Sequence, residues 1–173
     1  MKGILAVAIT AVLAAGCGAM GLGDGGASAT ANLEPTKGNN ARGTVKFTQH
    51  GDKVRVSGQI SGLQPGAEHG FHMHEKGDCS SGDGMSAGGH FNPAGKPHGP
   101  QSGDHHGGDM PNLKADASGM AKADFEISGV SIGSGSADIA GKGLIVHKDP
   151  DDYKTQPTGN AGPRIACGVI KAA

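Results

Sequence analysis

Histidine is the residue whose number and placement in this chain could do chemistry. Seven of the nine histidines fall between His69 and His106. His72 and His74 flank Met73 in a stretch with strand character. The two-residue period of a strand puts both imidazoles on one face, as a shared metal ion requires. A single histidine is ordinarily a surface or packing residue, but two at this spacing beside a loop with further ligands are not. Downstream, His90, His98, His106 and Asp109 lie in a segment rich in Gly and Pro. Three imidazoles and a carboxylate form a tetrahedral zinc set. Gly88, Gly89, Gly107 and Gly108 give the backbone freedom to wrap an ion. His147, at the end of a later apolar run, is available to close the His72/His74 group, and an all-imidazole site suits copper(II). His105 and His106 compete for one ligand place, which spacing alone does not decide. His50, beside Gly51, reads as an exposed turn residue. Met85 and Met110 read as packing residues rather than a copper(I) site.

The elements that must position these groups are short strands. Val45 and Phe47, then Val54 and Val56, alternate with polar residues around Gly51, which signals a hairpin. Ile60 extends its second strand to a turn at Gln64-Pro65-Gly66. Residues 68–75 read as another strand, and residues 112–117 and 121–127 as a second hairpin around Ser118-Gly119. Residues 143–147 and 165–170 complete the set. No window has the period of an amphipathic helix. The composition agrees: Gly 33 with Phe 4, Tyr 1 and Trp 0 describes a turn-rich β protein with small core residues. Residues 75–111 show no usable period, although they hold Cys79 and four histidines. A loop that long in one domain needs something other than a sheet to pin it.

The N-terminus is of a different kind. Lys2 precedes an uninterrupted small and apolar run from Gly3 to Ala15, too short to span a bilayer as a helix. It ends in Ala14-Ala15-Gly16-Cys17, so residues 1–16 read as a signal peptide. Small residues before a cysteine resemble the bacterial lipobox, in which Cys17 would receive the lipid; Ala14 stands where that pattern usually has Leu. Residues 17–31 read as a flexible, lipid-anchored tether and residues 32–173 as the folded domain. If Cys17 carries lipid, Cys79 and Cys167 remain as an even pair in a compartment where disulfides persist. The net charge of −1 gives no basic field for nucleic acid.

Three segments carry a resemblance: Gly70-Phe71-His72-Met73-His74-Glu75, then Ser86-Ala87-Gly88-Gly89-His90-Phe91-Asn92-Pro93, then Gly159-Asn160-Ala161-Gly162-Pro163-Arg164-Ile165-Ala166-Cys167-Gly168-Val169-Ile170. In this order they are similar to the signatures of the copper/zinc superoxide dismutases, and the likeness runs from about residue 31 to 170. It implies an all-β fold: a Greek-key, eight-stranded β-barrel or sandwich with long metal-binding loops. It implies one copper per chain on His72, His74, His90 and His147, and one zinc per chain on His90, His98, His106 and Asp109. His90 would bridge the metals as an imidazolate. The family's His-x-x-Asp spacing favours His106 over His105, and His69 matches a structural position. Asp151 matches the carboxylate that hydrogen-bonds ligands of both metals, although Pro150 before it is a local peculiarity. Cys79 and Cys167 match the family's disulfide, and Arg164 the guanidinium that guides and holds superoxide. The implied reaction takes one superoxide to oxygen and a second, with two protons, to hydrogen peroxide, His90 handling a proton. The N-terminal reading sets the chain in a bacterial cell envelope, held to a membrane by lipid on Cys17 and facing the periplasm or exterior. Bacterial relatives occur as monomers and as homodimers. The rival reading is a non-catalytic metal scavenger or copper-delivery module. It needs neither Arg164 nor a bridging histidine, and the sequence has both.

Overall fold

The computed structural model describes residues 26–173, which fold into strands joined by turns and long irregular loops. The signal-peptide and Cys17 lipid readings lie outside the described residues. Among the described residues nine strands form: β1 (Ser28–Pro35), β2 (Arg42–His50), β3 (Lys53–Ser61), β4 (Glu68–His69), β5 (Phe71–His74), β6 (Leu113–Lys114), β7 (Ala121–Ile127), β8 (Gly143–His147) and β9 (Arg164–Ala172). The only helical element among the described residues is a 3₁₀ turn, Met85–Ala87.

Seven strands make one antiparallel sheet in the order β5-β8-β9-β1-β2-β3-β7. The sheet closes on itself. Ala115 bridges Ala121 of β7, β6 pairs β4 through His69↔Leu113, and β4 runs through Gly70 into β5. With β4 and β5 taken as one interrupted strand, eight strand positions circle the barrel. β8, β4/β5, β6 and β7 lie side by side in the 4-1-2-3 order of a Greek key.

Alternation sets the core. Ala29, Ala31 and Leu33 of β1, Val45 and Phe47 of β2, and Val54, Val56 and Ile60 of β3 point inward and are buried. Register stacks Phe47 on Val56 and Val56 on Phe125. The strand reading fits β2, β3, β7 and β8, and β9 within two residues, but three boundaries differ. Of the strand read over residues 112–117, only Leu113–Lys114 forms β6. β1 begins at Ser28, so residues 28–31, read as tether, belong to the barrel. Ala29 and Ala31 are fully buried, and β1 pairs β2 on one side and β9 on the other. Small residues alternating with Ser, Thr and Asn resemble a linker in composition, and only two neighbouring strands make them a strand. The stretch read as one strand over residues 68–75 is interrupted at Gly70.

β5 and β8 are buried on both faces. Phe71, Met73, Leu144 and Val146 enter the core. The opposite face, carrying His72, His74, Ile145 and His147, is covered by the long loop of residues 75–112. That loop is pinned by Phe91 N–H to Met73 O at 2.8 Å, Met73 N–H to Gly108 O at 2.9 Å and Glu75 N–H to Gly89 O at 2.9 Å. A disulfide joins Cys79 to Cys167 of β9, with Cα atoms 5.8 Å apart, and Ala87 and Ile145 pack beside it.

Candidate metal centre

The outer face of β5 and β8 and the loop above it bring seven of the eight ligand-type residues singled out above into one buried cluster. Two groups of four have donor atoms mutually within 4.8 Å: His72, His74, His90 and His147, and His90, His98, His106 and Asp109. His90 belongs to both. Short bridges between His72 and Asp109 and between His74 and His90 carry strand geometry into the loop and fix these four relative to one another.

The ring nitrogens show what the cluster is built for. A carbonyl or carboxylate oxygen can only accept, so a ring nitrogen paired with one must donate. His74 Nδ1–H donates to Gly88 O at 2.9 Å and His147 Nδ1–H to Gly162 O at 3.0 Å. Asp151 accepts twice, from His72 Nε2–H at 2.7 Å and from His98 Nε2–H at 2.9 Å. Each of these four rings therefore turns its other nitrogen inward. His74 Nε2 and His147 Nε2 come within 3.4 Å. His72 Nδ1 and His90 Nε2 are buried with no hydrogen-bond partner, and His98 Nδ1 is buried against Asp109 Oδ2. A buried unpaired polar atom costs about 1–3 kcal/mol, and two such nitrogens aimed into one cluster fit a ligand set that could hold a metal ion. Ring orientation fixed by an outer acceptor is how histidine ligands are held ready for a metal.

The second group has the zinc donor set, three imidazoles and one carboxylate. Asp109 Oδ1 lies 2.8 Å from His90 Nδ1 and 3.3 Å from His106 Nδ1, and its Oδ2 lies 3.0 Å from His98 Nδ1. Asp109 Oδ2 also accepts from His106 N–H at 2.9 Å. The donor chemistry fits copper in the first group and zinc in the second.

Electrostatics separate His98 from His72, His74, His106 and His147. Burial, and next the neighbouring His90, hold His72 down to about 4; burial and His72 hold His147 down to about 3. His74 and His106 are lowered, burial again first. These rings stay neutral at pH 7, as ligands must. His98 goes the other way. Burial opposes its charge, but Asp109 and Asp151 on its two nitrogens outweigh burial and raise it to about 9. Both carboxylates, despite burial, are held well below the usual range by their histidines.

Arg164 stands at the start of β9, next to His147 in register. It is half-buried, donating from Nη1 to Gly84 O and from Nη2 to Gly88 O, both at 2.6 Å. Gly88 O thus serves His74 and Arg164 together. The guanidinium charge contributes to lowering both His74 and His147.

The competition between neighbouring histidines is resolved. His106 enters the cluster, while His105 donates from Nδ1 to His106 O at 2.6 Å and lies against Gln101 and Ser128. His69 donates to His147 O at 2.9 Å and belongs to neither metal group. His50 is exposed beside Glu126. Sequence reasoning missed the carbonyls of Gly88 and Gly162, and missed Asn112, whose amide grips the backbone of Asp151 by two hydrogen bonds of 2.9 Å. Nothing in residue type or spacing signals these, because they act through a loop path that only the fold sets.

A closed Greek-key barrel whose outer face carries two histidine sites sharing one imidazole defines a dinuclear metalloprotein. Residues 41–170 match the family model described as copper/zinc superoxide dismutase (SODC). A "Superoxide dismutase [Cu-Zn]" of Paramecium bursaria Chlorella virus 1 is 45% identical over 136 residues, covering 75% of this chain and 72% of that protein. Among solved structures, that of "the clock protein EA4" is similar with a TM-score of 0.77 and 41% identity, over 86% of this chain and 96% of that one. The chain belongs to the copper/zinc superoxide dismutase family. It is a superoxide dismutase, with copper and zinc as cofactors and superoxide as substrate.

Proposed function

We propose that superoxide is dismutated beside His72, His74, His90 and His147 as copper ligands, with His90, His98, His106 and Asp109 holding zinc. His90 is the shared ligand, and the enzyme is attached to the cell envelope. The observation that carries the site assignment is the placement of His90, whose two nitrogens face the two groups. Copper supplies the one-electron redox chemistry when bound. The chain's own residues do the rest. Arg164, fixed through Gly84 O and Gly88 O, has further N–H donors with which to hold a small anion beside His74 and His147. His90 Nε2 is the atom placed to take up a proton and return it to departing peroxide. Replacing His74 with Ala should lower copper content and activity while zinc stays largely bound, as measured by metal analysis of the purified protein. Loss of zinc with copper retained would overturn the assignment.

The envelope reading is supported by the Gly3 to Ala15 run, by Cys17 after small residues, and by the Cys79–Cys167 disulfide, a bond that suits an oxidising compartment. In a bacterial host the chain should take up radioactive fatty acid and sediment with membranes. Cys17→Ser should abolish the label; a variant labelled as strongly as the parent would rule the anchor out.

A further inference from the structure

Three of the four zinc donors have backbones set by the fold itself. His90 and Asp109 are bridged to β5, and His106 is tied to Asp109 through Asp109 N–H to His106 O at 3.1 Å. His98 is the exception. It lies in an irregular bend, and among the described residues no main-chain group pairs with its N–H or its C=O. Both are taken by one side chain instead. Gln156 Oε1 accepts from His98 N–H at 2.8 Å, and Gln156 Nε2 donates to His98 O at 2.9 Å. A primary amide used this way presents the same acceptor and donor that a neighbouring strand would.

Gln156 belongs to the turn that begins at Asp151, whose carboxylate accepts from the His98 ring. This turn is closed on itself by Asp152 N–H to Gly159 O at 2.9 Å and Gly159 N–H to Thr155 O at 2.7 Å. It therefore grips His98 twice, at ring Nε2 and at the backbone, and leaves Nδ1 buried and aimed at Asp109 Oδ2, 3.0 Å away. Gly159 has φ +68, and a Cβ there would run into the Asp151 carboxylate and the His98 ring, so the turn is fitted closely to this histidine.

We propose that Gln156 is a positioning residue for His98, fixing that ligand in its zinc-binding pose from outside the histidine cluster. The inference rests on His98 being a zinc ligand. Outer partners of metal ligands commonly set affinity by about 10–100-fold. Gln156→Met keeps the side-chain length and removes both hydrogen bonds, while Gln156→Glu keeps the acceptor and loses the donor. Gln49→Met is the control. Gln49 also bonds three backbone groups, those of Gly51, Lys53 and Ile132, but has no bond to the cluster. The purified full-length protein is loaded with zinc for release into a chelator, and separately with cobalt(II) for its visible ligand-field bands.

Gln156→Met should release zinc about tenfold faster and shift the cobalt bands, Gln156→Glu should lie between, and Gln49→Met should match wild type in both. If Gln156→Met and Gln49→Met behave alike, the inference fails while the zinc assignment stands. If the Met variant does not fold, Gln156→Glu decides: a release rate and cobalt spectrum equal to wild type overturn the role. A wild-type cobalt spectrum that His98→Ala leaves unchanged would remove the zinc assignment, and this inference with it.

Discussion

Holding a metal and capturing superoxide make different demands on single residues, and Arg164 separates them. No donor atom of either metal group belongs to it. Its guanidinium is nonetheless fixed by two carbonyls, one of them shared with His74. A fixed, permanently charged fork suits a small anion, and attraction between unit charges in water is screened over about 8 Å at physiological ionic strength. The second-order rate should therefore fall as salt rises. Arg164→Glu reverses the local charge, so its rate should lie well below wild type with a weakened or inverted salt dependence, while copper and zinc content stay near native. Pulse radiolysis across a salt series tests this; equal rates at matched metal content would remove Arg164 as the anion guide. The residue itself was legible, since Gly-Asn-Ala-Gly-Pro-Arg is a distinctive word. Its acceptors were not, because Gly84 and Gly88 stand about eighty positions away and meet it only once the loop is folded back.

At the scale of elements, the loop over β5 and β8 matters more than any strand. It supplies both Arg164 acceptors and four of the seven metal-group residues, and the disulfide ties it to β9 across a separation of 88 residues. A cross-link closing a loop of that size is worth about 4–5 kcal/mol in the chain-entropy model. The double variant Cys79→Ser/Cys167→Ser should lose stability on that scale in denaturant unfolding of the metal-free protein. A loss below about 1 kcal/mol would mean the bridge restrains little of the unfolded chain. Strands with apolar and polar residues in strict alternation, such as β2 and β3, were readable from sequence because one of their faces meets water. β1 was not readable, because alanine is a weak apolar signal and its strand state depends on β2 and β9. The double-sided burial of β5 and β8 likewise depends on a cover contributed by residues far along the chain. The long loop had no period to read, yet its ligands did, because metal donors are recognised by chemistry rather than by secondary structure.

The whole molecule holds several titratable rings in one buried cluster, so its folding must be linked to pH. His72 at about 4 and His147 at about 3, with His74 and His106 also lowered, resist protonation that the unfolded chain accepts near 6.5. Depressed values of this kind give stability that is present above 6.5 and lost as pH falls, because the unfolded state then binds more protons. Asp109 and Asp151 are also depressed and add to the loss below about 4. His98 contributes with the opposite sign. Raised to about 9, it keeps a proton that the unfolded chain has released, so its contribution is complete below 6.5 and disappears as pH rises through 9. Metal-free protein should thus be most stable near pH 6.5, falling steeply on the acid side, where several rings act together, and by one proton's worth on the alkaline side. With His98 as the zinc ligand proposed above, binding requires its Nδ1 without a proton, so zinc binding at pH 7.5 should release about one proton from this residue and remove the alkaline slope. Urea unfolding from pH 4 to 10, with and without zinc, reads both limbs, and a pH-stat titration counts the proton. Metal-free stability that is level between pH 7 and 9 would show that the two carboxylates do not hold a charged His98 between them.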